Sequence, residues 1–187
     1  MRVTLSIVAN GYIQRLFEYN TWANRGLLEF LGTVPRAALD EHGQGVYGSI
    51  WETLEHMLSS ELAYERYLEK TPKTEIERPE EPDIGWLVAL AERSGNNLAR
   101  IVDALPDASE TMHLGDGDRA AATILVQLIT HSAEHRGHIG TILGTLGIQP
   151  PELDSWAHGI FAHGDEWPED WGRKLEPLPL YPPVGLS

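Results

Sequence analysis

Eight residues in the last third of the chain, His131-Ser132-Ala133-Glu134-His135-Arg136-Gly137-His138, bring three imidazoles and a carboxylate into two helical turns. At about 100° per residue, His131 and His135 lie about 40° apart on one helix face. Ile124, Leu128, Ile139, Ile142 and Leu146 share that face, so the pair sits inside the apolar stripe. Two buried imidazoles without a partner are costly. A divalent ion removes that cost by taking a lone pair from each ring, at about 2.0–2.1 Å if the ion is zinc. The competing reading is a pair of hydrogen-bonded core histidines, or a solvated groove.

A catalytic metal usually keeps three protein ligands and an open position. Two residues compete for the third place. His56 lies on the second expected helix, away from its strongest apolar face of Ile50, Leu54, Leu58 and Leu62. Its neighbours Thr53, Ser59, Ser60 and Ala63 are small and mostly polar, which suits either a pocket lining or a solvated surface. His138 lies about 20° beyond His131 on the same face and can ligate directly or hydrogen-bond a ligand. Glu134 and His138 are the candidates for proton transfer. His131-x-x-Glu134-His135 also matches the inverted zincin pattern, with Glu134 as general base. That pattern is short, and nothing else in the chain resembles a metalloprotease. His42, His113, His158 and His163 fall in expected loops or the tail and read as solvated.

The elements that must position these side chains are helical. One helix is expected from about Asn10 to Leu31, with Leu16, Tyr19, Leu27 and Leu31 on its apolar face and Trp22 in the core. Asn20 and Asn24 on it suit either substrate orientation or a solvated face. Residues 36–48 read as a glycine-bearing loop. Ser49-Ile50-Trp51-Glu52 is a capping box that opens a second helix to about Lys70. Residues 71–82 carry three prolines and form a solvated connection. Asp83 caps a third helix to Leu105, with Trp86, Leu90, Leu98, Ile101 and Leu105 as core candidates. Gly115-Asp116-Gly117-Asp118 is a turn that can close a small β-hairpin. Its aspartates lack the remaining positions of a calcium loop. The fourth helix is expected over Arg119 to Leu146, stopped by Gly147. Residues 148–187 hold seven prolines and three tryptophans and read as an irregular tail, with Trp156, Trp167 and Trp171 able to pack over the site. The expectation is a single all-α domain over residues 1–187, a four-helix bundle over about 10–147 with that tail.

Composition narrows the function. With 14 basic and 28 acidic residues the net charge is −14, which disfavours nucleic acid and anionic membrane surfaces as partners. No apolar run reaches the length of a membrane span, and the first residues do not read as a signal peptide. The chain has no cysteine, so disulfides, a thiol nucleophile and thiolate ligands are excluded, and any metal must be held by His, Asp or Glu. A cytoplasmic location is the expectation.

Three blocks of sequence resemble the DinB/YfiT-like family of metal-dependent bundle proteins. They are Tyr19-Asn20-Thr21-Trp22-Ala23-Asn24; Ser49 to Leu58 together with Glu61; and His131 through Gly147, continued by Pro150-Pro151-Glu152-Leu153-Asp154. The resemblance spans about residues 12–158. It implies a histidine triad with open metal positions, placed on His56, His131 and His135. Position 138, commonly glutamine in that block, is histidine here, which leaves a four-histidine site open. The resemblance also implies nickel, zinc or iron as the metal. It implies a small-molecule substrate, handled by a transferase or isomerase that uses a low-molecular-weight thiol (bacillithiol, mycothiol or glutathione) or by a hydrolase. The alternative is a non-catalytic metal-binding or dimerisation bundle. A homodimer paired through one helix face is compatible with the sequence.

Overall fold

The computed structural model describes residues 2–72, 76–114 and 117–166, with side chains from residue 11 onward. Four long helices dominate: α1 (Arg2–Leu31), α3 (Ile50–Glu69), α4 (Ile84–Ile101) and α5 (Ala121–Thr145). The expected all-α bundle is therefore observed. A short helix α2 (Arg36–Leu39) interrupts the first loop, and a 3-10 turn (Val102–Ala104) ends α4. The two strands β1 (Thr111–Leu114) and β2 (Gly117–Ala120) precede α5, and α6 (Ser155–His163) follows it.

The helices pack as a ring. α3 lies between α4 and α5, and α1 closes the circuit against the same two helices. Along each helix, the residues that face the centre change character in step. Leu27, Leu28, Leu31, Leu54, Met57, Leu58, Leu87, Leu90, Ile139 and Ile142 form one apolar layer. Phe17, Leu68, Leu98, Ile101, Ile124 and Leu128 form another. Between them all four helices turn polar groups inward: Asn20, Asn24, Glu61, Glu65, Ser94, His131, Ser132 and His135 are all buried. This polar layer is the setting of the site.

Local signals fix the helix ends. Ser49 and Glu52 form the reciprocal capping box, which satisfies two orphan amides at the start of α3. Gly147 takes φ +71, and its N–H and that of Ile148 bond back to Gly144 and Leu143. This is the left-handed termination that glycine allows at lowest strain.

Several expectations are corrected. α1 begins at Arg2, not Asn10, and Leu16 is exposed while Phe17 is buried. The inward stripe runs through Phe17, Asn20, Asn24, Leu27 and Leu31, so the amides are part of it. α5 begins at Ala121, not Arg119, because residues 117–120 pair antiparallel with β1. The hairpin is thus present, and carbonyls of Ala108 and Glu110 receive the first amides of α5. Trp86 is only half-buried, and Leu87 takes the core position. Leu146 is exposed, and Leu143 is buried in its place. Residues 155–163 are helical, not irregular. Asp154 accepts from the Ala157 N–H as N-cap, and Ala157 packs on Trp22 and Ala23 of α1. Trp156 is exposed; Trp167 and Trp171 lie outside the described residues.

Candidate metal centre

α3 and α5 are neighbours in the ring, and that adjacency brings His56 to the histidine pair. His131 Nε2 lies 3.1 Å from His56 Nε2 and 3.1 Å from His135 Nε2. The three residues can each offer one nitrogen so that all three atoms lie within 4.8 Å of one another. Periodicity left His56 between pocket and solvent; the structure makes it half-buried, on the side of α3 that α5 covers.

Electrostatics keep the rings neutral. Burial lowers the pKa of His56, and burial followed by repulsion from His56 lowers that of His131. Burial, with His131, His56 and His138 adding to it, pushes His135 down to about 4. Neutral imidazoles present lone pairs, which a metal ligand requires. The spacing also fits. Two metal–nitrogen bonds of about 2.05 Å span 3.1 Å when they meet at roughly 100°, between the octahedral and tetrahedral angles. Three neutral nitrogen donors without thiolate suit a borderline divalent ion.

The surroundings support this arrangement unevenly. His135 Nδ1 lies 3.2 Å from His138 Nδ1. With its own Nε2 directed to the centre, the His135 Nδ1–H donates to His138, the kind of contact that fixes a ligand's tautomer. His138 is thus placed behind His135, outside the group of three. Its Nε2 is 4.0 Å from Glu134 Oε1, and the Glu134 side chain is 67% exposed. Tyr47, which sequence reasoning missed, stacks on His56 with ring centroids 4.3 Å apart and meets His135 edge-on. Tyr64 meets His131 edge-on. His131 Nδ1 is buried with no hydrogen-bond partner among the described residues.

Adjoining the triad, the polar layer forms one network. Glu61 Oε2 accepts from Asn20 Nδ2 at 2.8 Å, Asn24 Nδ2 at 3.0 Å and Ser132 Oγ at 2.8 Å. Arg136 Nη1 donates to the Oδ1 atoms of both asparagines, orienting their amides. Ser94 Oγ contacts both Glu61 Oε1 and Glu65 Oε1. Its single proton serves one of them. Burial pushes Glu65 up to about 8, against the pull of Ser94 and Asn97, and the proton it retains supplies the other bond. Sequence reasoning left Asn20 and Asn24 open and missed the rest. The available signal was a polar residue at a core position of the 3.6 period on all four helices.

Of the other histidines, His42 and His113 are exposed as expected. His158 is not solvated: it is 7% exposed, set against Tyr19 and Trp22, and its pKa is pushed down to about 4, first by burial. The unforeseen α6 carries it inward. His163, on the same helix, is half-buried beside Arg15 and Glu18.

Comparison with known proteins agrees with this architecture. The family model described as DinB family matches residues 1–166. Protein DinB of Bacillus subtilis (strain 168) is 25% identical over 158 residues, covering 75% of this chain and 89% of that protein. The structure of a DinB-like protein (YjoA) from Bacillus subtilis superposes with a TM-score of 0.54 at 13% identity, covering 74% of this chain and 97% of that one. The structural likeness establishes the fold.

Proposed function

The chain belongs to the DinB family, and on that premise we propose that it is a divalent-metal-dependent enzyme acting on a small molecule, with His56, His131 and His135 as the ligands. The observation that carries the reading is the convergence of three Nε2 atoms, two of the pairs at 3.1 Å, from rings that burial keeps neutral. Nickel, zinc and iron all suit such a donor set. When bound, the ion supplies Lewis acidity toward a substrate oxygen, or toward a thiol as its thiolate.

The chain's own residues have defined tasks. His138 accepts from His135 Nδ1–H and holds that ring with its Nε2 toward the centre. With its Nδ1 accepting, neutral His138 carries its own proton on Nε2, on the side of exposed Glu134, whose Oε1 is 4.0 Å away. Tyr47 stacks on His56 and restricts its ring. The chain has no cysteine, so a thiol-dependent transfer or isomerisation needs a low-molecular-weight thiol as cosubstrate; a hydrolase needs only water. The inverted-zincin reading does not enter the proposal, because Glu134 faces solvent rather than the triad.

The test is a screen of the metal-loaded and metal-free protein with low-molecular-weight thiols plus electrophiles, then with small esters and amides. Turnover that requires metal and falls by at least about a hundredfold in His131→Ala supports the reading. Turnover equal in the metal-free protein sinks it. Stoichiometric metal without any turnover favours the non-catalytic metal-binding bundle.

A further inference from the structure

A cleft of about 570 Å³, lined by none of the three triad histidines, opens between α3 and α4, within the roughly 300–1,000 Å³ typical of small-molecule sites. Three arginines line it: Arg93, Arg100 and Arg66, whose guanidinium lies over the Tyr67 ring. This is unusual company in a chain of net charge −14. Elsewhere the cations are mostly satisfied: Arg15, Arg25, Arg36, Lys70 and Arg78 each hold a carboxylate. In the cleft, Arg100 holds Glu69 and Asn97. Arg66 and Arg93 hold no carboxylate among the described residues. The other acid lining the cleft is Glu65, which burial keeps protonated at neutral pH. Among the described residues, two positive charges of the cleft are therefore left without a counter-charge. Beside them lie half-buried Leu62, Ala63 and Ile76.

We propose that this cleft is a binding site for a small organic oxyanion, a carboxylate or phosphate monoester, held by Arg66 and Arg93 with its apolar part against Leu62 and Ile76. The planar guanidinium matches both oxyanions through paired N–H donors. The acidic remainder of the surface disfavours such a ligand elsewhere. The site is independent of the metal reading, since it uses no triad residue.

The test is calorimetric titration with inorganic phosphate and with butyrate, on the full chain stripped of metal. Saturable binding of either probe to the parent is expected. It should weaken by at least about tenfold in Arg66→Gln and in Arg93→Gln, persist in His131→Ala, and persist in Arg36→Gln. Tighter butyrate than acetate would place the apolar part of the ligand on Leu62 and Ile76; equal affinity would overturn that placement. Arg93 is exposed, so its substitution keeps the fold and the result readable. No saturable binding to the parent, or binding unchanged in the Arg66→Gln/Arg93→Gln double variant, overturns the proposal. Loss of binding in His131→Ala would move the anion to the triad and overturn it as well.

Discussion

Glu61 draws hydrogen bonds from three other helices: Asn20 and Asn24 on α1, Ser94 on α4 and Ser132 on α5. Removing its carboxylate strands those donors in a buried layer, and each unsatisfied group costs about 1–3 kcal/mol. Glu61→Ala should therefore lower unfolding stability in urea by at least about 3 kcal/mol. Glu134→Ala, at an exposed position, should stay within about 0.5 kcal/mol. Equal effects would contradict the polar layer. At this scale the sequence was partly readable. His131 and His135 announce themselves because both stand in their own helix's apolar stripe. His56 does not, because what makes it inward is α5 packing on its side of α3, a tertiary fact. Asn20 and Asn24 look alike whether solvated or buried, and only Glu61 across the bundle decides between the two. His158 was hidden by the helix that carries it.

The ends of elements follow local chemistry closely. The Ser49 capping box and the Gly147 stop were legible because both act within a few residues. The start of α5 was displaced because Arg119 and Ala120 are claimed by a strand partner instead. Element packing is less legible, and Gly95 shows why. A Cβ there would lie 2.5 Å from Thr21 Cγ2, so this glycine permits the close approach of α1 and α4. Alanine at an open helical site would stabilise by about 1 kcal/mol relative to glycine. Gly95→Ala should instead destabilise by about 1–3 kcal/mol through overpacking. Adding Thr21→Ser, which deletes Cγ2, should recover most of the loss in thermal denaturation. A stabilised single variant would contradict the packing.

Over the whole molecule, two apolar layers clamp a polar one, and that layer makes stability depend on pH. Glu65 is raised from 4.5 to about 8 in the folded chain. The folded state therefore retains a proton that the unfolded state releases. The stability this group contributes is fully present below its unfolded value and is lost as pH rises through about 8. Between about pH 7 and 8.5 the loss from Glu65 comes to about 1 kcal/mol. Urea midpoints of the parent should fall over that window and those of Glu65→Gln should not; parallel slopes would refute the assignment. His158, lowered to about 4, acts in the opposite sense. Its contribution is present above its unfolded value and fades as pH falls toward about 4. The same layer holds His131 and His135, and anomalous diffraction at the absorption edge of the metal, from crystals of the metal-loaded chain, shows whether they and His56 bind an ion. The expected result is one peak at about 2.0–2.2 Å from Nε2 of His56, His131 and His135, with His138 behind His135. A peak bound by His138 or Glu134 in place of His56, or no peak between α3 and α5 in loaded crystals, would contradict it.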